Sequence, residues 1–594
     1  MSYRRKKLLA LFFAMALSMT AVAGCTGIKS STGNVVSSET ETNAEETSAQ
    51  SEAGTFSSAD MFTERDLAGT YEESGAVYVT LSDDGITGET DGVAINGQMV
   101  TITAEGTYIF SGTLSEGQIV VDADNAKVQI VFDNVDITCA SSAAVYVKSA
   151  EKVFVTLAEG SQNTLRNTDE YVAIDDNNID AVIFAKSDLT LNGTGSLTII
   201  SAEGHGIVSK DDLKIIGGTY DITAAGHALS GKDSVRIADG TFILTAEKDG
   251  IHAENADDEE KGYIYIADGD FTITSDGDGM DASNIVQIED GTLDITAGGG
   301  SANSLKTHES DVPGGPGGGM PQNGEKLDGE SMPQMGEKPD GENMPQDTTT
   351  DESGTSTKGI KAGGGMYLNG GTYQIDSADD SIHSNANITI ADGTYTLATG
   401  DDGVHADDAL IVNGGTITVT ESYEGLEGLA VTINDGTIDI TASDDGINTA
   451  GEKMELNGGY IHILAGGDGV DSNGDLTING GEIYIDGPSD NGNSAIDYGD
   501  RSSAYVNGGM LVAIGSSGMA EGMSDSSKQE VLMVKLGEQM EAGDVELTDN
   551  EGNVIVSYTA LKSYDCVIIS TAEVESGATY TLTTSGTTTE VTAE

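Results

Sequence analysis

An acidic motif recurs along the chain and supplies the residues best suited to chemistry. Each copy consists of an acid, a small residue, an apolar residue and a polar residue. If the copies stack in register, neighbouring acids lie about 4.8 Å apart, and carboxylates that close repel each other unless a cation or solvent intervenes. The acids are Asp249, Asp278, Asp380, Asp402, Glu424, Asp445 and Asp468.

Calcium suits such a column of acids. Oxygens about 4.8 Å apart can share one Ca²⁺ at about 2.4 Å each, and Ca²⁺ prefers six to eight oxygen ligands. We therefore expect Ca²⁺ as the cofactor, held by these seven acids and by Asp281. The alternative is turn chemistry, in which Asp bonds its own backbone and Gly adopts a positive φ.

The last residue of each motif forms a second column, on an outward position. His383 and His405 are one coil apart and Glu427 follows, which could suit catalysis or a transition metal. A binding surface, or plain solvated positions, explains these residues equally well, so we assign no catalytic residue. The column reads His252, Asp281, Lys361, His383, His405, Glu427, Asn448, Asp471 and, in a looser coil, Asp497.

A turn with glycine repeats at the same interval and defines the elements that carry both columns. Gly371, Gly393 and Gly415 are spaced 22 residues apart, with short β-rich runs and no helical pattern between them. Such a period is typical of a solenoid. We predict an all-β fold, a right-handed single-stranded parallel β-helix with about 22 residues per coil and about twelve regular coils.

Alternation within the coils predicts which side chains point inward. Tyr220 and Ile222 share one face of their strand, while the intervening residues share the other. The aromatic residues assigned to the same repeat position are expected to stack in the interior. They are Tyr220, Phe242, Tyr373, Tyr395 and Tyr460.

Departures from the period divide the chain into segments. We predict a signal peptide at 1–24, a disordered tether at 25–60, a cap with irregular coils at 61–200, regular coils at 201–527 and a C-terminal β unit at 528–594. A loop at 304–357 interrupts the coils with six of the seven prolines and a repeated Met-Pro-Gln sequence. Its composition predicts disorder.

The N-terminal segment predicts an anchored protein outside the cytoplasm. Arg4 to Lys7 precede an apolar run that ends in Val22-Ala-Gly-Cys25. This ending resembles a bacterial lipobox, in which Cys25 carries the lipid. We expect a lipoprotein on the outer side of the cell membrane.

The net charge restricts the partners. With 99 Asp and Glu against 27 Lys and Arg, the formal charge is −72. Nucleic acids and anionic membrane surfaces both require a basic footprint, which is absent. An acidic polysaccharide is itself a polyanion, so direct contact faces mutual repulsion that the few Lys and Arg cannot reverse, and we expect such binding to depend on calcium.

Several motifs in order resemble the bacterial carbohydrate-binding-domain family of surface β-helix lipoproteins. They include Gly106-Thr-Tyr-Ile-Phe110, Lys358-Gly-Ile-Lys-Ala362, Asp401-Asp-Gly-Val-His405 and Tyr423-Glu-Gly-Leu-Glu427. The resemblance implies bound calcium, a fold similar to pectate lyases, and binding of cellulose-like or acidic pectin-like polysaccharide without cleavage. We assign carbohydrate contact to Lys361, His383, His405 and Glu427 and expect a monomer.

Two other functions remain open. A calcium-dependent polysaccharide lyase would need a Lys or Arg to remove the C5 proton of a uronate, and Lys361, beside the acidic columns, is the candidate. A structural spacer on the cell surface is the third possibility.

Overall fold

The computed structural model describes residues 56–306, 356–451, 453–499 and 501–593. The predicted signal peptide and Cys25 lie outside the described residues, as do most of the tether and of the loop. Among the described residues, no helix is long and apolar enough to span a lipid bilayer. The described residues belong to one compact unit.

The fold class is confirmed: the chain winds into a parallel β-helix with three strands per coil. Each strand pairs in parallel with its equivalent one coil earlier and one coil later, so the strands stack into three ladders. The first ladder follows the glycine turn, the second follows the acidic motif and the third completes the coil. From Ser196–Ser201 to Met510–Gly515 the first ladder has twelve strands.

The first ladder consists of strands of five or six residues. These are Gln162–Asn167, Ser196–Ser201, Thr219–Ala224, Thr241–Ala246, Asp270–Ser275, Thr292–Ala297, Thr372–Ser377, Thr394–Thr399, Thr416–Glu421, Thr437–Ala442, Tyr460–Ala465, Glu482–Asp486 and Met510–Gly515.

The second ladder consists mainly of short strands. These are Met99–Ile102, Gln118–Asp122, Val145–Ser149, Ala181–Ala185, His205–Ser209, Leu229–Gly231, Ile251–Ala253, Met280–Ala282, Ile360–Ala362, Ile382–Ser384, Ile447–Thr449, Val470–Ser472 and Ile496–Tyr498. Two longer strands, Val404–Val412 and Leu426–Ile433, continue from the second ladder into the third.

The third ladder closes each coil. It contains Val77–Leu81, Gly106–Leu114, Lys127–Thr138, Lys152–Leu157, Asp188–Gly193, Asp212–Ile215, Ser234–Ile237, Tyr263–Ile266, Val286–Ile288, Met366–Leu368, Ile388–Ile390, Met454–Leu456, Leu476–Ile478 and Ala504–Val506. The last residues of Lys127–Thr138 also pair with the first ladder.

Both ends of the rod carry additional elements. Near the N-terminus, Val93–Asn96 pairs antiparallel with Met99–Ile102, and two helical turns, Ser58–Met61 and Glu64–Leu67, precede the strands. At the C-terminus, Tyr564–Ser570 pairs antiparallel with both Met510–Gly515 and Leu532–Met540, which covers the last edge of the first ladder. A separate antiparallel sheet contains Gly543–Thr548, Val554–Ala560, Thr579–Thr584 and Thr587–Thr592.

The tether prediction extends too far. Phe56 exchanges hydrogen bonds with the side chain of Gln287, and Met61 is buried beside Tyr265. Asp66 is fully buried, 2.6 Å from Lys152 Nζ, and accepts a bond from the Thr190 hydroxyl. Residues 56–60 therefore already belong to the ordered unit, because apolar and paired polar side chains fix them to the third ladder.

One continuous core fills the interior of the coils, and buried and outward residues alternate along most strands of the first ladder, as in Thr219–Ala224. The aromatic stacks are confirmed at four of five predicted positions: Tyr220 stacks on Phe242 with ring centroids 5.3 Å apart, and Tyr373 stacks on Tyr395 at 4.5 Å. Tyr460 was placed wrongly. It pairs with Thr437 and is 41% exposed, because Tyr directly follows the turn glycine where other coils have Thr.

The glycines of the two repeated motifs have different roles. Gly393, in the turn before the first ladder, has φ 122°, a region that favours glycine. Gly403, in the acidic motif, does not have a positive φ. A Cβ there would lie 2.5 Å from the carbonyl oxygen of Gly425, so close stacking of coils explains this glycine, and the positive φ of the turn-chemistry alternative is wrong.

Asparagines before the turn glycine join neighbouring coils. The Asn434 amide donates to Asn413 Oδ1 at 2.8 Å, and Asn457 donates to Asn434 in the same way at 2.9 Å. Asn479 and Asn507 continue this asparagine column. The side chains are exposed, so the repeat of Asn at this position reflects bonds between coils and not burial.

Candidate functional site

The second ladder displays one row of polar side chains on its outer face, which we call the outer row. Its members lie between two buried residues of each short strand, and backbone pairing joins each to the next: His252 to Asp281, His383 to His405, and Glu427 to Asn448. The predicted column is therefore present in the predicted order. The outer row comprises His252, Asp281, Lys361, His383, His405, Glu427, Asn448, Asp471 and Asp497.

The predicted acids line the turn just before the second ladder, and we call them the acid column. Most use one carboxylate oxygen to bind the backbone of the next coil. Asp402 N donates to Asp380 Oδ1 at 3.1 Å, and Asp468 N donates to Asp445 Oδ1 at 2.6 Å. The turn-chemistry alternative expected an Asp to bond its own backbone; here the bond joins two coils. Asp249, Asp278, Asp402 and Asp468 make equivalent bonds.

The second oxygen of the acids in the first half of the acid column meets a cation of the protein. Asp249 Oδ2 lies 3.1 Å from His252 Nδ1; although burial opposes its charge, Asp249 and Asp281 raise the pKa of His252 to about 10. Nδ1 of His227 is 3.0 Å from the same oxygen, but burial lowers the pKa of His227. Lys361 Nζ lies 3.4 Å from both Asp278 Oδ2 and Asp281 Oδ1. These acids are therefore largely neutralised without a metal.

The middle of the column is neutralised by histidines. Asp380 Oδ2 lies 2.9 Å from His383 Nδ1, and Asp402 Oδ2 lies 3.0 Å from His405 Nδ1, which also contacts Glu427 at 2.8 Å. Burial opposes the charge of His405, but Asp402, Asp407 and Glu427 raise its pKa well above the ordinary value. The protonated imidazole donates to these carboxylates, and a transition metal at His405 would have to displace that proton.

Two lysines beside the predicted loop complete this neutralisation. Lys306 and Lys358 lie 2.7 and 2.9 Å from Asp379 Oδ1; Lys358 also lies 2.6 Å from Asp380, and Lys306 pairs with Asp401. Burial alone would raise the pKa of Asp380, but Lys358 and His383 hold it well below its ordinary value. The predicted loop boundaries, 304 and 357, thus include ordered residues, because Lys306 is anchored by buried carboxylates.

The last part of the column is different. In the described part of the chain, no Lys, Arg or His forms an ion pair with Glu424, Asp445 or Asp468, nor with Asp471 of the outer row. Oxygens of Asp445, Asp468 and Asp471 lie within 4.8 Å of one another. We call these three residues the acidic triad.

Burial and repulsion between neighbouring carboxylates raise the pKa of all three acids of the triad. Burial, then Asp444 and Asp468, raise the pKa of Asp445 to about 8. Burial raises the pKa of Asp468 to about 7, and burial with Asp497 and Asp444 raises that of Asp471 to about 6. Asn448 precedes Asp471 in the outer row. Its Oδ1 atom is buried without a hydrogen-bond partner among the described residues. Such a set of oxygen donors fits a hard cation.

Sequence analysis missed two histidines that extend the acid column toward the N-terminus. His205 Nδ1 accepts the backbone N–H of His227 at 2.9 Å, and His227 Nδ1 accepts that of Asp249 at 3.2 Å. The imidazoles of His205, His227 and His252 stack at 4.8 and 4.1 Å. The signal was available, since His205-Gly-Ile and His227-Ala-Leu keep the period of the acidic motif.

Comparison with known protein families identifies the chain. The family model described as carbohydrate-binding domain-containing protein matches residues 96–403 and 401–580. The chain therefore belongs to the carbohydrate-binding domain family.

One curated protein and one solved structure are similar to parts of the chain. A carbohydrate-binding domain-containing protein of Acetivibrio thermocellus is 41% identical over 135 residues, which are 22% of this chain and 47% of the relative. The chain thus spans about half the length of this curated relative. A solved structure described as the polysaccharide lyase-like protein from C. thermocellum, a gadolinium derivative, is 36% identical and covers 38% of this chain and 92% of its own, with a TM-score of 0.37.

Proposed function

We propose that the protein binds polysaccharide along the outer row without cleaving it. The carrying observation is that the outer row presents polar side chains in nine successive coil positions, at the spacing of about 4.8 Å that strand pairing imposes. A straight row of hydrogen-bonding groups suits an extended chain of sugar hydroxyls and carboxylates. Membership of a carbohydrate-binding family supports the same function.

Calcium is proposed at the acidic triad rather than along the whole column. The acids from Asp249 to Asp402 already have histidine or lysine partners, whereas Asp445, Asp468 and Asp471 have oxygens close together and no such partner among the described residues. The orphaned Asn448 oxygen adds a neutral donor nearby. A bound Ca²⁺ would supply positive charge to which a uronate carboxylate can bind.

The lyase alternative is disfavoured by the state of its candidate base. Lys361 Nζ lies between Asp278 and Asp281, and although burial opposes it, these carboxylates raise the pKa of Lys361. The ammonium form is therefore favoured at neutral pH, and it cannot accept the C5 proton of a uronate. The residue is better suited to donating hydrogen bonds to a ligand.

The proposed location follows from the N-terminal sequence. We propose that Cys25 carries a lipid and that the rod faces the outside of the cell membrane. Membrane fractionation of the full chain against Cys25→Ala tests this: the variant should appear in the soluble or secreted fraction. An unchanged membrane fraction would contradict lipid anchoring at Cys25.

Pull-down on insoluble cellulose and on immobilised polygalacturonate, with calcium and with chelator, tests the function. We expect calcium to increase polygalacturonate retention, and Asp445→Asn with Asp468→Asn to abolish that increase. Asp221→Asn with Asp294→Asn removes the same charge from exposed positions on the first ladder and should change nothing.

Three outcomes distinguish the candidate functions. Calcium-dependent retention without product supports binding. Release of unsaturated uronides that absorb in the ultraviolet would support a lyase. If the folded protein is retained on no polysaccharide, the structural spacer on the cell surface remains as the function.

A further inference from the structure

The outer row opens into a pocket at its N-terminal end. Tyr146 and Phe184 occupy the outward position of two successive strands of the second ladder, Val145–Ser149 and Ala181–Ala185. Both are buried in a small apolar cluster that includes Ile179. The next two outward positions are occupied by the smaller residues Val208 and Ser230. A cavity of about 380 Å³ lies over them, a size that accommodates a small ligand or part of a larger one.

Four lysines stack beside this part of the second ladder. Lys186 N donates to Val147 O, Lys210 N to Ala185 O and Lys232 N to Ser209 O, so each lysine lies one coil beyond the one before it. Strand pairing spaces the backbones of these lysines about 4.8 Å apart, and ammonium groups that close repel each other unless an anion lies alongside them. We call Lys148, Lys186, Lys210 and Lys232 the lysine column.

The pocket lies between this column and the turns before the second ladder. Lys210 and Lys232 line one part, while Lys248, His205 and His227 come from those turns. Burial lowers the pKa of His205 and His227 and favours their neutral forms, so Lys248 is the cation among these three. Glu254 and Asp257 are the acids among its lining residues. Positive groups therefore outnumber negative ones locally, in a chain whose formal charge is −72.

Two of the pocket lysines have no carboxylate partner. Among the described residues, Lys210 and Lys248 form no ion pair; Lys210 Nζ lies 5.4 Å from the centre of the Phe184 ring. Lys232 pairs with Asp257 at 2.8 Å, but the Asp257 side chain is 81% exposed, so this pair is weak and Lys232 can exchange it for a ligand. In a protein with nearly four acids for each base, unpaired lysines facing one cavity require an explanation.

We propose that this pocket binds the anionic substituent of an acidic polysaccharide, a uronate carboxylate or a sulfate ester, directly through Lys210, Lys232 and Lys248. The inference rests on the proposed function, because the pocket continues the outer row, and it adds a second mode of contact. At the acidic triad a carboxylate needs calcium, whereas here the ammonium groups bind it without metal.

The test measures binding of three soluble polymers in chelator: polygalacturonate, dextran sulfate and neutral dextran. Lys210→Ala with Lys248→Ala removes two lysines that form no ion pair among the described residues. Burial raises the pKa of the partly buried Asp180 and both lysines lower it, so circular dichroism must show that the variant is folded. We expect this variant to bind the acidic polymer about tenfold more weakly or worse, and high salt to weaken the wild type. Lys453→Ala with Lys528→Ala removes the same charge elsewhere and should leave binding unchanged.

The polymers distinguish the two sources of the anion. Loss confined to polygalacturonate assigns a carboxylate, loss confined to dextran sulfate assigns a sulfate ester, and loss for both assigns acidic polysaccharide in general. Equal binding by the lysine variant and its control, or equal loss for neutral dextran, would overturn the inference.

Failure here is separable from failure of the proposed function. If the wild type binds acidic polymers only with calcium, and the lysine variant retains that binding, the pocket is not an anion site but the outer row still binds polysaccharide. If no polymer binds under either condition, both proposals are wrong.

Discussion

Two acids of the same column should respond oppositely to the same substitution. Asp445 and Asp380 each use Oδ1 to accept the backbone N–H of the next coil, at 2.6 and 3.1 Å. The amide oxygen of Asn can accept the same bond, so Asp445→Asn and Asp380→Asn remove the charge and keep the backbone bond. The two variants therefore isolate the electrostatic environment of each carboxylate.

At Asp445 the negative charge destabilises the folded state. Burial, Asp444 and Asp468 raise its pKa from 3.8 to about 8. Because the folded state binds the proton more tightly than the unfolded state, stability falls as pH rises from about 4 towards 8. Four pH units correspond to about 6 kcal/mol, and half of that, about 3 kcal/mol, allows for solvent and relaxation around the partly exposed group. We expect Asp445→Asn to stabilise the chelated protein by this amount at pH 8 and hardly at pH 4.

At Asp380 the charge is required. Its carboxylate is buried, 2.6 Å from Lys358 Nζ and 2.9 Å from His383 Nδ1. Neutralising it leaves the buried ammonium of Lys358 without a full partner, and losing one member of a buried ion pair costs about 3–5 kcal/mol. Asp380→Asn should therefore destabilise the protein at pH 8.

Urea unfolding followed by circular dichroism, at pH 8 and pH 5 in chelator, measures both free energies. The stabilisation by Asp445→Asn should shrink at pH 5. If the two variants shift the free energy of unfolding in the same direction at pH 8, the division of the column into a neutralised part and an unneutralised part is wrong.

Three further results are expected. Calcium at a hundredfold excess over its Kd should stabilise the wild type by about 2.7 kcal/mol, but not Asp445→Asn with Asp468→Asn; equal stabilisation would place the ion elsewhere. Burial opposes the charge of Asp66, but hydrogen bonds from Lys152 and Thr63 lower its pKa to about 2. The carboxylate therefore contributes about 2 kcal/mol to stability above pH 4, and this contribution is lost as the pH falls to 2. Amide exchange of residues 58–67 should differ between wild type and Asp66→Asn at neutral pH and become equal at pH 2. Tyr395→Ser should cost about 3–5 kcal/mol because the ring is buried, whereas Tyr460→Ser should cost below about 1 kcal/mol; similar thermal shifts would contradict the corrected register.

The stacking of both polar columns could be predicted because a fixed period and strand pairing leave one register. Once Asp402 is aligned with Asp380, His405 must lie beside His383. The position of Tyr460 follows from counting residues after the turn glycine: Tyr460 is the first residue after Gly459, whereas the inward residue is the second, as Ile438 is after Gly436. Matching Tyr460 to the other aromatic residues by type was the error, since a shift of one residue reverses the face of a strand.

Which acids have partners could not be predicted from the motif. Lys306 and Lys358 lie on opposite sides of a long insertion, and only folding shows that both contact Asp379. Likewise, the basic residues are few in the sequence, but Lys210, Lys232 and Lys248 come from three turns and meet at one pocket. Charge balance at a point depends on three-dimensional neighbours, which a count along the chain does not contain.

The bonds between coils also give the rod a direction of assembly. In the acid column and in the asparagine column, the later coil supplies the N–H donor and the earlier coil supplies the waiting oxygen, as between Asp402 and Asp380 or between Asn457 and Asn434. A folded N-terminal stretch is therefore a template that presents acceptors to the next 22 or so residues as they emerge, and nearest-neighbour contacts are sufficient for each addition. Growth from the N-terminus matches the order in which a ribosome or a secretion channel delivers the chain, so each coil can be completed before the next one arrives.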